Sequence, residues 1–305
     1  MKRLIAVLCV CIMLCGCTPQ TETENIPVSG ETGKRASVVY FEQDDGYLVP
    51  VIDYEDWNDR LLSNLMSRMV SGADTDFTLE ENGLSALLPK DTKVSATVDE
   101  GLATINIESG RLGDMSEKRS KNVLAAAVNT ATQIASVDKV RLQVNGKSDR
   151  LGTCDISETF ASADINPAYA KDDGFVNITS YFKTADSGLM VPVTKYAPRA
   201  DVETVVKALM KNPDSKNLLT LMPDNVRLNS AKLDEGGTAA IDFSGEILEL
   251  KKSPDKEQKF FAGLTEALKQ LDGVNKIVVT ADGEPYEDAT QQTASVFANE
   301  LESYD

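Results

Sequence analysis

Two similar sets of short alternating segments run along this chain. In the first, the apolar runs Val38–Phe41 and Tyr47–Ile52 flank Asp44-Asp45-Gly46, a turn signal, and predict a β-hairpin. Trp57, Leu61, Leu65 and Met69 then recur at four-residue steps, with Leu62, Met66 and Val70 beside them. That spacing predicts an amphipathic helix ending near Gly72. Trp57, the chain's sole tryptophan, is expected to pack in the core or at the helix start rather than to serve as a ligand platform. Lys93–Val98 and Leu102–Ile107 alternate around Asp99-Glu100-Gly101, a second hairpin with one buried face. A helix over Glu117–Ile134 turns Val123, Ala127, Val128, Ala131 and Ile134 inward, its alanines permitting close approach to a sheet. Val140–Val144 is a closing strand, ended by Asn145-Gly146.

The same order recurs further on. VVYF (Val38–Phe41) returns as TSYF (Thr179–Phe182), LVPV (Leu48–Val51) as MVPV (Met190–Val193), and LLPKDTKV (Leu87–Val94) as LMPDNVRL (Leu221–Leu228). ATINI (Ala103–Ile107) returns as AAIDF (Ala239–Phe243), and VRLQVNG (Val140–Gly146) as IVVTADG (Ile277–Gly283). Tyr40 is displaced to Tyr181, Pro50 to Pro192, Pro89 to Pro223 and Gly146 to Gly283. The displacements differ by only a few residues, as duplication followed by loop insertions leaves them. Between the second set's strands, Val202, Val205, Val206, Leu209 and Met210 mark a helix stopping before Pro213. Ser253-Pro254-Asp255 reads as an N-cap with proline at the first helical position, opening a helix through Phe260, Phe261, Leu264, Leu268 and Leu271. The fold class that follows is α+β: two tandem repeats of a small mixed sheet with two helices packed on one face, each running β-β-α-β-β-α-β. The repeats span residues 37–148 and 178–287. A helix layer on one face leaves sheet edges and an outer face for other proteins.

Residues 149–177, with Gly152, Pro167 and Gly174 and no strong period, read as an inter-domain linker with local packing around Ile156, Phe160 and Tyr169. Residues 288–305 form a tail; a short helix over Glu287–Tyr304 would place Val296, Phe297 and Leu301 on one side. At the other end, Lys2 and Arg3 precede the apolar run Leu4–Leu14, which is too short for a permanent span, and Leu14-Cys15-Gly16-Cys17 reads as a bacterial lipobox. Residues 1–17 are therefore a lipoprotein signal peptide, with Cys17 the lipidated first residue of the mature protein. A transmembrane anchor is the competing reading. Residues 18–36 are a polar tether with a root-mean-square reach of roughly 25 Å.

The order and wording of these segments resemble the GerMN domain. The resemblance is carried chiefly by Leu88-Pro89 ahead of a hairpin, the Ala103–Ile107 strand, the following helix and the Val140–Gly146 ending. Two such domains behind a lipoprotein leader resemble the GerM-like sporulation and germination lipoproteins. The resemblance implies a layout similar to ring-building motifs and a non-enzymatic scaffold on the outer face of the cytoplasmic membrane. It also implies a role in endospore formation and germination, in the space between mother cell and forespore, supporting assembly of envelope protein complexes. Partners would be envelope or forespore-membrane proteins and the membrane itself, through the lipid on Cys17.

Composition narrows the chemistry. With 42% hydrophobic and 26% charged residues the chain has ordinary globular content. It has no histidine, which removes the usual neutral-pH base, the commonest metal ligand and histidine-based triads. The net charge of −17 argues against nucleic acid and reads as a solubilising surface or an acidic patch for a basic partner. Four of the five cysteines lie in the first 17 residues, so the body keeps only Cys154, a passive packed residue or a reactive thiol. Phosphate cradles, dinucleotide loops and nucleophile elbows are absent from the sequence. The acid pairs Asp44-Asp45, Asp99-Glu100, Asp172-Asp173 and Asp234-Glu235 all adjoin glycine, as solvated turn tips do, and Asp282–Asp288 falls short of a calcium loop. No catalytic, cofactor-binding or metal residue is assigned. A ligand-binding or cell-wall-processing lipoprotein is the alternative.

Overall fold

The computed structural model describes residues 34–211, 213, 215–286 and 297–301. The leader with Cys17, the tether up to residue 33 and most of the tail lie outside the described residues. In the first repeat, β1 (Lys34–Gln43) and β2 (Leu48–Asp56) form an antiparallel hairpin with Tyr40 opposite Pro50. After α1 (Leu61–Arg68) and α2 (Ala73–Glu81), the short β3 (Leu84–Ser85) joins the other side of β1 at Glu42 and Gln43. A second hairpin, β4 (Lys93–Asp99) and β5 (Leu102–Glu108), is followed by α3 (Glu117–Thr132), which carries the chain across to β6 (Lys139–Val144), parallel to β5. Two-residue strands β7 (Arg150–Leu151) and β8 (Cys154–Asp155) follow.

The second repeat runs β9 (Val176–Thr184), β10 (Met190–Ala197), α4 (Val202–Met210), β11 (Leu218–Leu219), β12 (Leu228–Leu233), β13 (Thr238–Phe243), α5 (Pro254–Lys269), β14 (Lys276–Ala281) and β15 (Glu284–Pro285). The class is α+β, as the pattern predicts. Each repeat divides its strands between two sheets, ordered β2-β1-β3 and β4-β5-β6 in the first and β10-β9-β11 and β12-β13-β14-β15 in the second. The elements α2, β3, β11, β7, β8 and β15 are additions to the expected frame, most of them too short for a period to register. Trp57 departs from expectation. Helix α1 begins four residues later, and the indole stands 58% exposed with the Arg35 guanidinium 4.2 Å over its ring.

Each repeat is locked internally by one glutamine. Gln133, just past α3, accepts from the Val38 amide (2.6 Å) and donates to the Val38 carbonyl (2.7 Å). Gln270, just past α5, does the same to Thr179, at 2.8 and 3.1 Å. One side chain thus satisfies both backbone groups of a strand residue and fixes the helix end against β1 or β9. Helix α3 is capped by Ser116, whose hydroxyl accepts from the Arg119 amide at 3.2 Å. At α5, Pro254 holds the first turn, and Ser253 occupies the cap position without a side-chain bond.

The two repeats are joined by a reciprocal clasp. Strands β2 and β10 are edge strands lying side by side, each with a proline at its third position. Asn166, buried and left-handed (φ 49°), accepts from the Leu48 amide (2.7 Å) and donates to the carbonyls of Leu48 and Pro192 (both 2.8 Å). Asn299, also buried, accepts from the Met190 amide (2.7 Å) and donates to the carbonyls of Pro50 (2.7 Å) and Met190 (3.0 Å). Leu48 corresponds to Met190 and Pro50 to Pro192, so the two sets of bonds exchange places under an approximate two-fold rotation. Backbone pairing follows the same exchange. Ile165 and Ala168 pair with Thr194 of β10, while Asn299 pairs with Pro50 and Ile52 of β2. The segment after each repeat thus covers the edge of the other.

Apolar packing is continuous across this junction. Phe182, Val191, Val193, Leu218 and Leu301 bury their side chains in the first repeat's core. Segment 149–177 is correspondingly ordered, with Ile156 fully buried and Phe160 bridged to Val140. In the tail, Phe297–Leu301 is non-helical, Phe297 meeting Tyr181 edge-to-face with ring centroids 4.2 Å apart; the rest of the expected helix lies outside the described residues. Several sheet edges are closed from within the chain. Besides β2 and β10, the β4 edge is met by Ser63, whose hydroxyl donates to the Ala96 carbonyl and accepts from its amide (3.1 and 3.0 Å). Strand β12 carries an irregular register between Leu228 and Ser230, and β6 is bridged by Phe160 and Lys147.

Replacing Asn166 or Asn299 by Ala strands a buried amide and carbonyls, so each change is expected to cost about 1–3 kcal/mol in chemical denaturation. The wild type should unfold in one transition, and the double variant in two. Tyr40 and Tyr181 occupy the same junction. Burial pushes both hydroxyls well above the ordinary value of 10.0, and the Glu266 charge acts in the same direction. The unfolded chain therefore releases these protons first, and stability falls as pH rises above about 10. Tyr40→Phe with Tyr181→Phe should flatten that alkaline slope in thermal melts, leaving the neutral-pH behaviour of the clasp in place.

Candidate functional site

An open groove of about 940 Å³ lies in the second repeat, between the chain following β11, the 3-10 helix at Gly245–Lys252 and the start of α5. Its floor is apolar, from Leu218, Leu221, Met222 and Leu250, all buried. Leu219, opposite Lys183 in the β9–β11 pairing, stands 44% exposed at the rim. Lys183 reaches the groove from β9, Lys252 from the end of the 3-10 helix, and Lys256 and Lys259 from the first turns of α5. Asp224, Glu246 and Glu249 face the same space. Lys252 is held by Glu249 (2.6 Å) and Lys259 by Asp255 (3.0 Å), while among the described residues no carboxylate pairs with Lys183 or Lys256.

The other titratable groups have structural roles. Asp53 is buried on β2 and shares Arg68 with Glu55, at 2.9 and 2.7 Å, which ties α1 to the hairpin. Burial pushes the Asp53 carboxyl above its ordinary range, and Arg68 opposes this. Of the acidic turns, Asp45 accepts from Asn217 of the second repeat (2.8 Å), and Asp234 accepts from the amides of Gly236 (2.9 Å) and Thr238 (2.8 Å), closing its own loop. These are positional bonds, in keeping with the turn reading. Cys154 sits half-buried in β8, and burial pushes its thiol up, with the Lys121 charge pulling the other way. Among the described residues no group of three or more Cys, Asp or Glu is placed to hold a metal, and no helix is long and apolar enough to cross a membrane. Cys17 lies outside the described residues, so its lipidation remains a sequence expectation. The groove was missed in the sequence because its lysines are spread over 77 positions, from Lys183 to Lys259.

Germane, the family described as acting in sporulation and spore germination, matches this chain twice, over residues 38–150 and 179–287. The chain belongs to that family. Spore germination protein GerM of Bacillus subtilis (strain 168) is 27% identical over 217 residues, which cover 67% of this chain and 56% of that protein. The match thus spans a little over half of that relative's length. Among solved structures, the tandem GerMN domains of the sporulation protein GerM from Bacillus subtilis align with a TM-score of 0.66 at 22% identity, covering 86% of this chain and 100% of that one. That likeness establishes the fold of this Germane protein as tandem GerMN domains.

The raised thiol of Cys154 gives a direct expectation. In the folded protein at neutral pH it should react with an aromatic disulfide reagent more slowly than free cysteine, and at the free rate once unfolded. A rate above that of free cysteine would mark an activated thiol.

Proposed function

We propose that this Germane protein is a lipid-anchored scaffold of the bacterial cell envelope. Cys17 carries the lipid, which holds the body at the outer face of the cytoplasmic membrane and, in a sporulating cell, in the space between mother cell and forespore. There it supports the assembly of envelope protein complexes and performs no chemistry of its own. The observation that carries this reading is the clasped pair of repeats. Two domains locked edge to edge form one rigid body that holds two attachment surfaces at a fixed separation. The edge closures favour recognition by side-chain surfaces over strand addition.

The test is capture from cross-linked sporulating cells with the wild type beside Cys17→Ala. Forespore-envelope membrane proteins should come down with the wild type and be lost with Cys17→Ala, which should also leave the membrane fraction and no longer incorporate labelled fatty acid. Recovery of only wall fragments or small solutes by the wild type would overturn the scaffold reading, and an unlipidated wild type would overturn the anchor.

A further inference from the structure

The groove of the second repeat has a counterpart in the first, and the strand registers make the comparison position by position. Glu42 lies opposite Leu48 and Ser85 where Lys183 lies opposite Met190 and Leu219. On the helices, Arg119 and Asn122 stand where Lys256 and Lys259 stand, three and six positions into equal 16-residue helices that end at Gln133 and Gln270. In the first repeat these positions seal the space. Glu42 pairs with Arg119, Arg119 donates to the Ala86 carbonyl (2.6 Å), and Asn122 donates to Glu42 (2.6 Å) and to the Gly46 carbonyl (3.0 Å). In the second repeat the acid has become a lysine, and both of its partners have become lysines too. Like charges cannot bridge, so the space stays open. Four lysines and the carboxylates of Asp224, Glu246 and Glu249 surround the apolar floor; Lys252 and Lys259 are paired, and among the described residues Lys183 and Lys256 have no carboxylate partner.

We infer that this groove docks an acidic segment of a partner protein, its carboxylates on Lys183 and Lys256 and an intervening apolar side chain against Leu219 and the floor. The inference rests on the scaffold reading and names how the scaffold takes hold of a partner. Two observations select this occupant. Among the described residues Lys183 and Lys256 have no carboxylate partner. The floor is apolar and the space, at about 940 Å³, holds several side chains, where a small anion would leave the floor wet.

The experiment pans a displayed library of random twelve-residue peptides on the purified mature chain, beside a Lys183→Gln/Lys256→Glu variant shown to melt at the wild-type temperature. Selected peptides should carry Asp or Glu next to Leu or Phe, and a synthetic lead should bind the double variant about tenfold or more weakly and lose affinity with added salt. Leu219→Glu, at an exposed position, should weaken the same lead if the double variant fails to fold. Absence of enrichment, or leads that bind every variant equally, would overturn the proposal. So would the finding that inorganic phosphate or phosphatidylglycerol vesicles, and no peptide, bind in a way these variants abolish. In cells, wild-type recovery of envelope proteins by the double variant would sink the groove and spare the scaffold. Peptide binding without any cellular capture would do the reverse.

Discussion

An edge strand presents amides and carbonyls that must find partners, and this structure depends on how two of them do so. Strands β2 and β10 approach along their edges, but Pro50 and Pro192 have no N–H to offer, so an ordinary ladder between them cannot form. An asparagine amide, with two donors and an acceptor, fits what remains: one amide and two carbonyls on each side. Asn166 and Asn299 fill these sites reciprocally. Because each asparagine lies on the segment following its own repeat, closing one edge also fastens the other.

The duplication is therefore more than two domains on a string. The junction buries side chains of both repeats in one core, and Tyr40 and Tyr181, a matched pair, sit there under the influence of the same carboxylate. Where the repeats face each other they have kept equivalent residues. Away from the junction they have diverged, most sharply where Glu42, Arg119 and Asn122 correspond to three lysines. The preserved side sets the geometry of the body, and the divergent side is free to differ in what it recognises.

Much of the frame was legible in the sequence. Period-two runs around Gly-containing turns gave the hairpins, four-residue steps gave the helices, and the repetition of Pro50 as Pro192 and Gly146 as Gly283 revealed the duplication. Hidden were features that depend on residues distant in the chain. Asn166 and Asn299 lie in segments without periodicity, 118 and 109 positions from the strand residues whose amides they accept. Gln133 and Gln270 are ordinary helix-end residues until their strand partners are known. Trp57 was misplaced because a four-residue step carries no record of where the helix starts, and Arg35, which covers its ring, lies on β1, 22 positions earlier in the chain. The sealed and open grooves could have been found by aligning the repeats and asking which charged positions change sign.

The clasp makes the repeats one body, and residual dipolar couplings of backbone amides in a weakly aligned sample test whether they tumble as one. Couplings from 37–148 and from 178–286 should fit a single alignment tensor when the two halves are placed as they are here. Two tensors of different magnitude or orientation would mean that the repeats move independently, and the clasp would then be an incidental contact.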